Sequence, residues 1–307
     1  MSLKDIKLKI KSIDRTRKVT KAMEAVSAVK MRKSQVRAIT SRPYANAALS
    51  ILERMSVSLS TLKHPLTENR PLSKAAVVVV TSDKGLCGVL NSAVLKESTA
   101  VLNRLGLPKE SISIYAFGRK GADFFAHRGY TVAERIENIS DDVAMADLAR
   151  ISSDIANGFV EKKFDQVEVV YTNFKSTFEQ SAISHQILPL SLEAISDIVG
   201  GIIPEKGKFA EARAERIAGP SQYTVEPSLE SVLETLIPQL VSVLFFHALL
   251  ESKASEHSAR MVAMKNASDK STERSKLLTR TFNKARQALI TREVSEIVGG
   301  IEAMATN

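Results

Sequence analysis

A single cysteine, Cys87, stands among 307 residues, which leaves neither an internal disulfide nor a thiolate metal site open to this chain and fits a reducing compartment. Long apolar runs are missing too. The longest, 75–80 and 243–250, stop at polar residues or are interrupted by His247, so no eighteen-residue span marks a membrane helix. The opening MSLKDIKLKI has no apolar h-region, and Asp5 and Asp14 depart from the acid-poor pattern of a transit peptide, so the expectation is a mature chain as written. Aromatic residues make up 5%, and Tyr44 alone falls in the first fifty positions. The five histidines, His64, His127, His185, His247 and His257, are scattered without metal-ligand spacing, and the carboxylates form no recognisable acid–base pair. The expectation is therefore no catalytic residue, no cofactor and no metal.

What is present is a globular composition, 44% apolar and 25% charged, long enough for two domains. The net charge of +9 is unevenly placed: residues 1–42 carry thirteen Lys and Arg against Asp5, Asp14 and Glu24, while residues 251–298 carry ten against six, and the span between is slightly acidic. Basic ends predict an acidic contact, whether nucleic acid, membrane surface or a carboxylate-bearing protein face.

Apolar residues at Leu3, Ile6, Ile10 and Ile13, resuming as Val19, Ala22, Val26 and Val29, predict one long helix whose seam drifts where the heptad breaks. Pro43 should kink or interrupt it, with Tyr44–Leu59 continuing the pattern; some 60 residues would reach about 90 Å. The middle of the chain changes period. The β-branched run 75–83 predicts a buried parallel strand followed by a turn and a helix over 89–105; 111–118 and 165–174 predict further strands, 141–164 a helix, and 181–190 an edge strand. Residues 191–227, holding four glycines and three prolines, predict an irregular connection of weak order. After Pro227 a second helical register runs through Leu240, Val243, His247, Leu250, Ala254, His257, Met261 and Met264, then through Ser268, Ser271 and Ser275, and on to Leu289, interrupted only by a kink expected at Pro238. Serines on that seam predict a neighbour that changes or is absent. Two such helices, each sparsely apolar, are expected to pair antiparallel, with the sheet domain inserted between them.

Two motifs invite sharper readings. Ser82–Asn91, SDKGLCGVLN, follows a buried strand, where α/β proteins hold ligands, but it lacks both phosphate-loop spacings and any nearby histidine to activate Cys87. A tight strand-to-helix turn accounts for it; an enzyme using Cys87 is the competing reading. The basic N-terminal helix offers a nucleic-acid binder as another alternative, although its Lys and Arg alternate with apolar residues along the whole helix. Near the C-terminus Arg286 and Gln287, with Thr291 one turn on, present directional donors suited to a carboxylate-bearing loop or, equally, an ordinary exposed face.

Three blocks, TRKVTKAMEAVSAVKMRKSQ at Thr16–Gln35, TSDKGLCGVLN at Thr81–Asn91, and the run from ARMVAMKNASD through FNKARQALITREVSEIVGG, resemble the gamma subunits of F-type ATP synthases in content, order and spacing. The resemblance implies an α/β fold class: a long antiparallel coiled coil of N- and C-terminal helices (1–62 and 228–302) with an inserted Rossmann-like, mainly parallel α/β domain (72–190) and an irregular foot (191–227). It implies a non-catalytic shaft turning inside a ring of three alpha and three beta subunits, with the epsilon subunit and the c-subunit ring as further partners and no nucleic acid. The complex would sit at a bacterial plasma membrane, this chain peripheral on the cytoplasmic side. By position in the motifs, Met23 and Arg260 would lie where shaft meets beta; Arg286, Gln287 and Thr291 would form a polar catch on beta; and Tyr223 and Glu226, in QYTVEP, would rest on the c-ring. The regulatory dithiol of plastid members has no counterpart here, and Phe282 replaces the family's usual Tyr.

Overall fold

The computed structural model describes residues 2–59, 64–141, 145–191 and 229–305. They form two compact units, one of Met1–Val26 with Met261–Asn307, the other Ser27–Arg260. Two helices run through both: α1, Leu3–Leu59, and α5, Leu229–Ala305. The prolines do not end them. Pro43 lies inside α1 and Pro238 inside α5, so of the kink or interruption expected at Pro43 the interruption does not occur. A proline forfeits one hydrogen bond, which a helix fixed by tertiary packing tolerates.

The second unit is built on a five-stranded sheet in the order β3-β2-β1-β4-β5. Its strands are β1 Ala75–Val80, β2 Ile112–Phe117, β3 Thr131–Ile136, β4 Gln166–Phe174 and β5 Gln180–Leu188. The first four are parallel to one another, and β5 alone runs antiparallel, on β4. Three helices connect them: α2 Leu90–Leu105, α3 Arg119–Ala126 and α4 Met145–Val160. Strand β1 is buried at every position because both faces are covered. Ala76, Val78 and Val80 face one apolar cluster with α4 and the first part of α5, whereas Ala75, Val77 and Val79 face the other with α2 and α3.

Strand β3 escaped the sequence reading. Its TVAERI alternates exposed and half-buried residues at the edge of the sheet, and that short, charged edge strand carries too little apolar signal to stand out. The helix expected over 141–164 is the shorter α4. Its chain turns away at Lys162, whose φ is +60°. The irregular segment expected over 191–227 lies, beyond Ser191, outside the described residues.

Helix α5 holds an eighteen-residue window of mean hydropathy 1.4, of which 67% is buried. From Ile237 to Leu250 its apolar residues join the cluster on β1 and β4, the signature of a core helix.

Candidate functional site

The seam of α1 corrects the sequence reading. Leu3, Ile10, Ile13 and Arg17 are half-buried and Ile6 and Thr20 buried; farther on Glu24 is half-buried and Ser27, Met31 and Ser34 are buried. The spacing is an unbroken three-four alternation, so the seam does not drift. It continues straight through polar residues, while Val19, Val26 and Val29, which apolarity alone placed on it, are 58%, 55% and 69% exposed.

The matching polar stretch of α5 has its neighbour after all. In the first unit Ser268 is 5% exposed, and the Ser275 hydroxyl donates to Asp14 Oδ1 at 3.1 Å. Asp14 also lies 3.8 Å from Arg17 Nε. Here a hydroxyl on one helix meets a carboxylate on the other, a directional contact that stabilises little but specifies register.

The turn after β1 is a knot of side-chain-to-backbone bonds. The Ser82 amide donates to Asn91 Oδ1 at 3.0 Å, and Asn91 Nδ2 donates to Ser82 Oγ at 2.8 Å and to Cys87 Sγ at 3.3 Å. Cys87 is 2% exposed: its thiol fills this turn and faces no cleft. Asp83 accepts from the amides of Arg119 at 3.0 Å and Asn138 at 2.9 Å. Gly118, at φ +93°, lets the β2–α3 connection approach so closely that a Cβ there would stand 2.2 Å from the Thr81 carbonyl oxygen.

Arg260 fastens this turn to α5. Its Nη2 donates to Glu256 Oε1 at 2.7 Å and to the carbonyls of Lys84 at 3.3 Å and Gly85 at 3.4 Å. Of the other sequence-predicted site residues, Met23 is half-buried on α1, and Arg286, Gln287 and Thr291 are exposed on α5. Gln287 and Thr291, four residues apart, share a helix face. The structure does not bring these residues into one cluster. Tyr223 and Glu226 lie outside the described residues.

Sequence reasoning missed a second centre, on Asp141. Lys30 Nζ donates to Asp141 Oδ2 at 2.6 Å, His257 Nε2 lies 2.8 Å from Oδ1, and Arg37 Nη1 donates to the Asp141 carbonyl at 3.0 Å. Burial on its own raises this carboxyl, but the hydrogen bonds from Lys30 and His257 outweigh it and hold the pKa at about 2. Burial pushes the His257 imidazole below its ordinary value despite that partner, so at neutral pH its Nε2–H donates to the carboxylate. Only contact across more than a hundred residues joins the three, which is why no local motif announced them.

At the far end of α5 the apolar side chains turn outward. Leu289, Ile290, Val294, Ile297, Val298 and Ile301 are 38–63% exposed, a stripe far richer than single surface apolar residues make. A bonded, inert turn, a polar helix seam and a helix end that exposes apolar surface together define a protein that works by contact. Comparison with known proteins gives the class its name. The family model described as ATP synthase matches residues 2–304. The ATP synthase gamma chains of Brevibacillus brevis and Pelotomaculum thermopropionicum are 36% and 37% identical over 303 residues, covering 99% of both chains in each case. The central stalk of the Tetrahymena thermophila mitochondrial ATP synthase matches with a TM-score of 0.59 at 26% identity, over 81% of this chain and 99% of that one. A chain of the Euglena gracilis mitochondrial enzyme matches with a TM-score of 0.63 at 18% identity, over 98% and 94%, a likeness of fold alone. The chain belongs to the ATP synthase gamma-chain family. It is a non-catalytic stalk subunit of a membrane-bound complex whose catalysis takes place in the beta subunits.

Proposed function

We infer that this chain is the central rotor shaft of an F-type ATP synthase, coupling proton flow across the membrane to ATP synthesis and hydrolysis by rotation. The observation that carries the reading is the outward apolar stripe from Leu289 to Ile301 on a 77-residue helix: a surface of this kind is completed by a surrounding partner. A ring of three alpha and three beta subunits supplies that surround. The shaft biases each beta subunit through differential contact energy, which is what shifting a conformational equilibrium requires. The helices 1–62 and 228–302 serve as the shaft, 72–190 as the α/β domain, and 191–227 as the foot on the c-ring through Tyr223 and Glu226, with the epsilon subunit beside it. Arg286, Gln287 and Thr291, exposed donors on α5, act as the catch on beta. Met23 and Arg260 act at the coupling region, Arg260 by bracing the turn at Lys84 and Gly85. The complex belongs at a bacterial plasma membrane, this chain peripheral on the cytoplasmic side. Nothing supports the nucleic-acid alternative, and part of the N-terminal basic charge is used internally, Lys30 on Asp141 and Lys21 on Glu24.

The test is reconstitution. Mixed with cognate alpha and beta subunits, the purified chain should enter a complex of one copy to three and three with magnesium-dependent ATPase; failure to form any complex overturns the reading. In that complex Arg286→Ala with Gln287→Ala should impair turnover in a chain that remains folded, and unchanged turnover removes the catch assignment.

A further inference from the structure

Within the second unit the two long helices are held by different means. From Ile237 to Leu250, α5 is fixed by apolar packing on the sheet. The described part of α1 in this unit has little of that kind: between Ser27 and Arg37 Met31 is the one large apolar residue buried, and Val29 and Val36 are 69% and 58% exposed. What α1 has instead is Asp141. Lys30 reaches its carboxylate and Arg37, two helical turns on, reaches its carbonyl. From the other side His257 of α5 takes the second carboxylate oxygen, and Lys253, one turn earlier, donates to the Ile139 carbonyl at 3.2 Å in the same connection between β3 and α4. One short stretch of chain is thus gripped by two turns of each helix.

We propose that Asp141 is a positioning residue for rotary coupling, the joint that fixes α1 against α5 and the sheet so that both helices turn with the α/β domain. The proposal rests on the rotor reading above. Its physical basis is directionality. A charge-assisted hydrogen bond at 2.6–2.8 Å resists angular displacement, whereas a face of small and polar residues such as Ser27 and Ser34 slides readily. Sharing one carboxylate between two helices makes the angle between them, rather than the placement of either, the quantity held.

The experiment uses the whole membrane-bound synthase carrying Asp141→Asn, Lys30→Gln or both, and reads ATP hydrolysis and ATP-driven proton pumping in the same vesicles. The expected result is a fall in pumping per ATP hydrolysed of roughly twofold or more in each single variant, the scale of one ion pair's effect on an equilibrium, with the double variant no worse than Asp141→Asn alone. A merely structural role would lower the amount of assembled complex and leave that ratio unmoved. An unchanged ratio in both single variants, or additive losses in the double variant, overturns the joint. Should Asp141→Asn fail to assemble, the half-exposed Lys30→Gln decides alone. Absence of assembly with the unaltered chain would instead defeat the rotor reading, so the two failures are distinct.

Discussion

The same helix behaves in opposite ways at its two ends. Between Ile237 and Leu250, α5 buries its apolar side chains against β1, β4 and α4, several of them to 2% exposure or less. Between Leu289 and Ile301 it carries residues of the same types, and they stand 38–63% exposed. The second segment also carries Arg292, Glu293 and Glu296 where the first has no Asp, Glu, Lys or Arg, and only the first meets a sheet. The first segment is part of a core that this chain completes by itself. In the proposed assembly the second is completed by a partner, so its apolar residues should contribute to binding instead of folding. The comparison therefore separates what makes this chain fold from what makes it work, and substitution tests the separation.

The largest effect belongs to the completed core. Leu244→Ala, at a position 2% exposed, should destabilise the second unit by about 2–5 kcal/mol, the loss of transferred surface plus an unfilled cavity. Urea unfolding of the purified chain measures it. Gly118→Ala should follow, at roughly 1–3 kcal/mol or more, because φ +93° strains any side chain and the added Cβ would meet the Thr81 carbonyl at 2.2 Å. A far smaller loss at Gly118 would mean that the β2–α3 connection is free to move.

These magnitudes bear on what could be read from residues alone. The sheet was legible because Ala75–Val80 is a run that only two-sided burial explains, and the turn because its glycines left no phosphate-loop spacing. The β3 strand was not, since its ERI end offers charge where a core strand offers Val or Ile. The α1 seam misled for a related reason: apolar Val19, Val26 and Val29 outweighed Thr20, Ser27 and Ser34 in the pattern, yet the structure buries the polar set. A seam that buries small polar side chains leaves no apolar mark, and periodicity of apolar residues is blind to it. The Asp141 centre is silent in sequence because its partners Lys30 and His257 come from opposite ends of the chain.

Acid should reach the second unit through this centre. His257 is depressed in the folded chain by burial, so between its folded value and the ordinary 6.5 the unfolded chain binds more protons, and stability falls as pH drops through that window. Asp141, held at about 2 against an ordinary 3.8, stabilises the fold above its unfolded value and withdraws that support only as pH falls from about 4 toward 2. The two windows lie one after the other. Unfolding of the purified chain followed from pH 7 to 5 should show a downward slope that His257→Gln flattens, and an equal slope in that variant would place the sensitivity elsewhere.

Glu168 reverses the sign. Its side chain is 3% exposed with Arg104 Nη2 at 3.2 Å, burial raises its pKa, and Oε2 has no hydrogen-bond partner among the described residues. A carboxyl with a raised folded value loses stability as pH climbs from its unfolded value, so Glu168→Gln should remove that loss, and urea unfolding at pH 5 and pH 7 should show a smaller difference in the variant than in the unaltered chain.

The smallest effect on folding is expected at the far end of α5, and it sharpens the comparison most. Ile297, 63% exposed, has little to lose in the chain alone, and Ile297→Ser should change its unfolding free energy by no more than about 0.5 kcal/mol. In the assembled complex the same substitution removes apolar surface from a contact that the chain cannot complete by itself, so the variant should dissociate from alpha and beta faster while its own unfolding midpoint stays put. Leu244→Ala must do the reverse, lowering the midpoint first and losing assembly only as folded chain is lost. If Ile297→Ser destabilises the chain alone as much as Leu244→Ala does, the exposed stripe is an internal core after all, and the division between a folding end and a working end of α5 collapses.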